Sequence, residues 1–145
     1  MGKIGIVGND KPPIKPKENK YIPMRMFERN GPTEISVGYF IDNIPYPIGI
    51  AQCSMLCEEN SMYFNRLFVR PEYRGKGLGS KLLDRLLELV KDRNIVLQLD
   101  INPYGDMDYI ELECFYLRHG FKKYKITDVN LGLGDFYTYF YNKEE

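Results

Sequence analysis

The run from Leu67 to Leu83, Leu-Phe-Val-Arg-Pro-Glu-Tyr-Arg-Gly-Lys-Gly-Leu-Gly-Ser-Lys-Leu-Leu, joins an apolar strand to a basic, glycine-rich loop that opens into an amphipathic helix. Such a junction binds anions. Unpaired N–H groups at a helix start and the positive end of its macrodipole suit a diphosphate, and glycines let phosphates approach the main chain. Spacing separates the loops that work this way. A Walker loop needs Gly-Lys-Ser/Thr, whereas Gly79 is followed by Ser80 and then Lys81. A dinucleotide fingerprint needs Gly-x-Gly-x-x-Gly at the end of its strand and an acid about 20 residues on. Asp100 lies at that distance, but Gly75, Gly77 and Gly79 give Gly-x-Gly-x-Gly, held off the strand by residues 70–74. A third pattern, Arg/Gln-x-x-Gly-x-Gly/Ala, is met in full by Arg74, Gly77 and Gly79 after Val69-x-Pro71-x-Tyr73.

This third pattern resembles the acyl-CoA loop of the GNAT family of N-acetyltransferases. A second element strengthens the resemblance. The segment 115–121, with Tyr116, Gly120 and Phe121, is similar to the Tyr-x-x-x-Gly-Phe ending of the family's fourth helix. The likeness is specific from about Tyr63 to Phe121 and extends as strand pattern from about Glu34 to Asn142. The chain departs from the family where Tyr109 and Leu112 replace an upstream Asn and Ala.

The resemblance implies acetyl-CoA as cosubstrate, no metal, and direct transfer of the acetyl group to a primary amine in a ternary complex. It implies a diphosphate held by backbone N–H groups from Arg74 through Gly75, Lys76, Gly77, Leu78 and Gly79 to Ser80, with Arg70, Arg74 and Lys76 available to the phosphates. Pantetheine would pair with the main chain at Phe68 and Val69 like an added strand. The Val69 N–H would then face the thioester oxygen, a donor worth roughly 3 kcal/mol of barrier reduction. Tyr116 matches the family's general acid, and a phenol is protonated at neutral pH. Packing competes with that role, since Leu112, Phe115 and Tyr116 also suit a buried helix face.

The base is less clearly marked. Many relatives carry a glutamate four residues before Val69, where this chain has Asn65, which cannot take a proton. Asp100, ending the strand expected to splay from that of Leu67, leads the candidates, with Glu58, Glu59 and Asp108 behind it. His119, the single histidine, stands at a helix end, where a dipole interaction is preferred to catalysis. Asp106, Asp108, Glu111 and Glu113 form an acidic run that either attracts a cationic acceptor or stabilises a helix start.

The elements that must position these residues follow from pattern. At 145 residues, the chain fits one domain over 21–145 after a Pro/Lys-rich arm at 1–20. Strands are expected at Tyr21–Glu28, Glu34–Asp42, Tyr46–Cys57 and Ser61–Val69, forming an antiparallel meander. A helix follows from Leu78 to about Arg93, with Leu82, Leu83, Leu86, Leu87 and Val90 on one face. The apolar run Ile95–Ile101 reads as a strand covered on both faces and parallel to the one before the loop. Asp108 and Glu111 form a capping box for a second helix ending near Gly120. Two last strands, Phe121–Val129 and Phe136–Asn142, flank the loop 130–135. The fold class is α/β (α+β): a mixed, mostly antiparallel sheet with a central parallel pair. Little room is left for the helices that the family usually places between its first two strands. That predicts an open acceptor groove suited to a protein lysine or N-terminus more than to a small enclosed amine.

Twenty basic and twenty acidic residues balance, which argues against nucleic acid and against an anionic membrane as partners. The cysteines Cys53, Cys57 and Cys114 lack metal-ligand spacing and fit a reducing cytoplasm. Cys53 and Cys57 read as small apolar fillers on one strand face with Met55. The aromatic last strand, Phe136, Tyr137, Tyr139, Phe140 and Tyr141, reads as core, with a substrate or homodimer surface as the alternative. Rival functions are a polyamine-type acetyltransferase, a catalytically degenerate acyl-CoA sensor, and an NAD-binding protein.

Overall fold

One seven-stranded sheet, ordered β1-β2-β3-β4-β5-β7-β6, carries the chain from Met24 onward. The computed structural model describes residues 24–103, 105–128 and 134–144. The expected arm at 1–20, the first residues of the expected strand from Tyr21, the last residue of the expected strand Phe121–Val129, and residues 130–133 of the last loop lie outside these. The strands are β1 (Met24–Asn30), β2 (Glu34–Ile41), β3 (Gly49–Met55), β4 (Ser61–Val69), β5 (Val96–Leu99), β6 (Lys122–Asp128) and β7 (Gly134–Tyr141). Two helices join them, α1 (Leu78–Asp92) and α2 (Tyr109–Arg118), and a single 3-10 turn, Pro71–Tyr73, precedes α1. Every pairing is antiparallel except β4 with β5.

The apolar stripe of α1 is what docks it. Leu82, Leu83, Leu86 and Val90 are fully buried in one cluster with Ile35, Val37, Ala51, Cys53, Met62, Phe64 and Leu97 from the sheet. Each such leucine contributes about 1.5–3 kcal/mol of burial. The crossover β4-α1-β5 therefore lies flat on the sheet, and the loop before α1 opens at the carboxyl end of β4. There the sheet splits. β4 and β5 pair only at Ser61–Val96, Met62–Leu97 and Tyr63–Gln98; β5 then continues with β7, while the later part of β4 keeps β3 alone.

Some expectations change. β3 starts at Gly49, after Pro45 and Pro47, which have no N–H to give a ladder. β5 is four residues long and its burial alternates, with Leu97 and Leu99 inside and Gln98 half-buried and donating to the Thr138 hydroxyl. It is therefore not covered on both faces. Phe136 and Tyr137, on opposite faces, are both exposed, while Thr138 and Tyr139 are both buried, so the last strand divides along its length, exposed at its start and core in its middle.

The cysteines divide as well. Cys53 is a core filler whose burial pushes the thiol up to about 12, but Cys57 lies past the end of β3 and is exposed, as is Cys114. Brief alkylation of the folded protein near about pH 8 should therefore label Cys57 and Cys114 and spare Cys53, as read by peptide mass spectrometry. Rapid labelling at Cys53 is the contrary result.

Candidate active site

The two helices start in opposite ways. At α2, Asp108 accepts from the Glu111 N–H at 2.8 Å while the Glu111 carboxylate accepts from the Asp108 N–H at 3.0 Å, so side chains close that end. At α1 the N-cap is Gly77, with φ of 81° and no side-chain cap. The first backbone bond of the helix is from Lys81 N–H to the Gly77 carbonyl. The amides of Leu78, Gly79 and Ser80 thus have no partner within the helix and face outward with the dipole behind them. Gly75 and Gly77 both have positive φ with open space where a Cβ would stand, so their backbone conformation, not crowding, requires glycine. Gly79 differs: a Cβ there would stand 3.8 Å from Val69 Cγ2, in ordinary contact, which is why Gly or Ala fits this position.

Beside these amides lies a cleft of about 460 Å³, walled by β4 and the loop on one side and by Gly105, Asp106, Met107, Leu112, Phe115 and Tyr116 on the other. Of the residues expected to hold the cofactor, Phe68, Val69, Arg74, Gly75, Gly77, Leu78 and Gly79 line it. Arg70, Lys76 and Ser80 do not. Arg70 lies over the Tyr46 ring at 4.2 Å and beside Glu72, Lys76 lies toward Tyr73, and Ser80 reaches His119. Arg74 is already engaged, donating from Nε to the Val69 carbonyl and from Nη1 to Asp106, each at 2.6 Å.

The phase of β4 corrects one detail. Arg70 N–H bonds the Ile48 carbonyl, which makes Ile50 and Phe68 the hydrogen-bonded pair and leaves Gly49 with Val69, and Ala51 with Leu67, as non-bonded pairs. The N–H and carbonyl groups of Leu67 and Val69 therefore point into the split between β4 and β5. Those of Phe68 point to β3, and Phe68 meets the cleft through its side chain. Along the same strand, a bulge gives β4 the extra residue Asn65 opposite Gln52 and Cys53.

A second cleft, of about 240 Å³, occupies the split itself and is lined by Tyr63, Phe64, Asn65, Arg66, Leu67, Leu99, Asp100, Ile101, Asn102, Leu112 and Tyr116. Leu67, Leu112 and Tyr116 are walls of both clefts. Tyr116 is buried, with its ring 5.3–5.9 Å from those of Phe64, Phe115 and Phe121. Asp100 is fixed by the Tyr63 hydroxyl at 3.0 Å and the Thr138 hydroxyl at 2.8 Å, one on each oxygen. Each oxygen keeps a further lone pair. Burial, and then the Asp100 carboxylate, raise the Tyr63 phenol, so it remains a donor to Asp100. Glu58 and Glu59 line neither cleft, and Asp108 is engaged as a cap.

Residues 39–123, more than half of the chain, match the family model described as an acetyltransferase (GNAT) domain. The chain belongs to the GNAT acetyltransferase family. It is accordingly an acetyl-CoA-dependent N-acetyltransferase, and the dinucleotide reading of the loop is set aside. Among solved structures, a GNAT acetyltransferase from Staphylococcus aureus MU50 is 25% identical, with 76% of this chain and 69% of that one covered and a TM-score of 0.54. The PaiA N-acetyltransferase from Thermoplasma acidophilum, in complex with coenzyme A, is also 25% identical over 74% of this chain and 60% of that one, with a TM-score of 0.52. The ribosomal-protein-S18-alanine N-acetyltransferase from Escherichia coli, 16% identical, shares the fold over 77% of this chain and 70% of that one with a TM-score of 0.56. No curated protein matches the sequence.

Sequence reasoning missed the partners that come from afar. Asp106, which meets Arg74 at the larger cleft, and Tyr63 with Thr138, around Asp100, carry no local signal for these partners, since the contacts span more than 30 residues. Phe115 could have been found, because it adjoins Tyr116 in the motif. No helix among the described residues is long and apolar enough to cross a membrane.

Proposed function

We propose that this GNAT enzyme acetylates protein amines, a lysine or an N-terminus, by direct attack of the amine on the acetyl-CoA thioester. The observation that carries the reading is the placement of Tyr116 as a shared wall of two clefts. A thioester entering from the cofactor side and an amine entering through the split between β4 and β5 meet beside its ring. The unpaired amides at the start of α1 suit the diphosphate, and the outward main chain of Leu67 and Val69 suits the amide groups of pantetheine.

In this scheme the amine nitrogen attacks the thioester carbonyl, forming the C–N bond, and the Val69 N–H receives the developing oxyanion. The C–S bond then breaks as Tyr116 donates its phenolic proton to the departing sulfur. The proton lost by the amine passes to Asp100, directly or through water. Asn65 cannot take that part; its amide oxygen accepts from the Ser54 hydroxyl at 2.9 Å. An exposed carboxylate at the mouth of the split also favours a cationic acceptor.

The preference for a polypeptide comes from the start of the sheet. β1 passes to β2 through residues 31–33 alone, so no helix between those strands roofs the split. The test is incubation of a cell extract with isotopically labelled acetyl-CoA and this protein, with mass spectrometry of peptides and of small amines. Label on lysines or N-termini supports the reading. Label on polyamines alone assigns a small-amine enzyme, and tight CoA binding without CoA release on any amine assigns a sensor.

A further inference from the structure

His119 is the C-cap of α2, three residues after Tyr116 and directly before Gly120, whose φ is 103°. Its side chain is only 12% exposed and packs, tilted, against Phe115 at 4.7 Å between centroids, and Phe115 is a wall of the cofactor cleft. Both ring nitrogens reach across to α1. Nδ1 lies 2.7 Å from Asp84 Oδ1, and Nε2 lies 3.3 Å from Ser80 Oγ. A carboxylate only accepts, so Nδ1 carries a proton and donates to Asp84, while Nε2 and the Ser80 hydroxyl share the second hydrogen bond.

Serine, imidazole and carboxylate in this order are the parts of a hydrolase triad. Neither of the two clefts described above is lined by Ser80 or His119, however, so neither presents an acyl group to Ser80 Oγ. What the bridge does join is the two sides of the cofactor cleft. Ser80 is the third residue of α1, and its N–H is one of the amides that Gly77 leaves open. Tyr116 lies about one turn before His119 on the facing helix.

We propose that His119 is a positioning residue that holds the diphosphate cradle at a fixed distance from Tyr116, using Asp84 to orient its ring and Ser80 as the point of attachment. The inference rests on the reading that the amides of residues 74–80 hold the diphosphate of CoA. Loss of the ring frees the Ser80 hydroxyl to turn toward its own helix or the ligand, and it lets the end of α2 shift against α1. The ligand that spans both sides feels this most. Acetyl-CoA engages the cradle and Tyr116 together, whereas acetyl-pantetheine, which lacks the diphosphate and nucleotide, engages the Tyr116 side alone.

The experiment compares steady-state KM and kcat for these two donors in the native protein and in His119→Ala, Ser80→Ala, Asp84→Ala and Asp84→Asn. His119→Ala is expected to raise KM for acetyl-CoA about tenfold and to leave KM for acetyl-pantetheine within about twofold, the scale of a small misplacement of bound groups. Ser80→Ala, which deletes only a hydroxyl and leaves the fold intact, and Asp84→Ala should move the same way. Asp84→Asn keeps an oxygen that accepts the Nδ1 proton and should recover most of the loss. An equal change for both donors, or an unchanged KM for acetyl-CoA in all three alanine variants, overturns the proposal. Should the native protein itself fail to prefer acetyl-CoA over acetyl-pantetheine, the diphosphate reading fails and the proposal falls with it.

Discussion

With Tyr116 as the proposed general acid, Tyr116→Phe is expected to lower kcat by about a hundredfold while leaving acetyl-CoA affinity close to native. The substitution keeps the ring and hence the edge contacts with Phe64, Phe115 and Phe121. Only the hydroxyl goes. In the proposed mechanism the sulfur would then leave without a proton from Tyr116, and because that proton would move during bond breaking, the change should fall on kcat and not on binding. Stopped-time measurement of free thiol, alongside calorimetric titration with CoA, separates the two quantities. A variant that turns over at the native rate would leave Tyr116 a packing residue.

Gly79→Leu should raise the dissociation constant of CoA at least about a hundredfold, a loss of about 2.7 kcal/mol. At this position φ is ordinary, and a Cβ would stand no nearer than 3.8 Å to Val69 Cγ2 and 4.0 Å to Leu67 Cδ2, so the folded chain accepts the branch point. The rest of the leucine side chain extends into the cleft that Gly79 lines, in the space where a diphosphate would lie against the helix amides. Gly79→Ala is the control, with an expected change of less than about threefold, because a methyl group there makes only van der Waals contact. Native CoA affinity in the leucine variant would mean that the nucleotide follows another route.

Both residues are legible in the sequence because their signals are local. The spacing of Arg74, Gly77 and Gly79 requires only a strand end and a helix start to become an anion cradle, and the placement of Tyr116, Gly120 and Phe121 requires only one helix and its termination. The capping box of Asp108 and Glu111 is equally readable, since its partners are three residues apart and the backbone brings them together whatever the rest of the chain does. Asp100 stands out by its strand position, but the two hydroxyls that hold it do not.

The sequence by itself determined the meander of β1 to β4, the apolar stripe that seats α1, and the open amides behind Gly77. Each is a matter of periodicity, or of hydrogen bonds that close within a few residues. The parting of β4 and β5 was expected, but tertiary structure alone decided that it comes after Tyr63 and that Leu67 and Val69, not Phe68, turn their amides into the gap. It also decided that Arg74 meets Asp106, 32 residues away, and that His119 clasps Ser80, 39 residues away. Strand phase depends on a bulge and on the partner's register, and a meeting of distant side chains depends on how the helices seat on the sheet, and no local pattern encodes either.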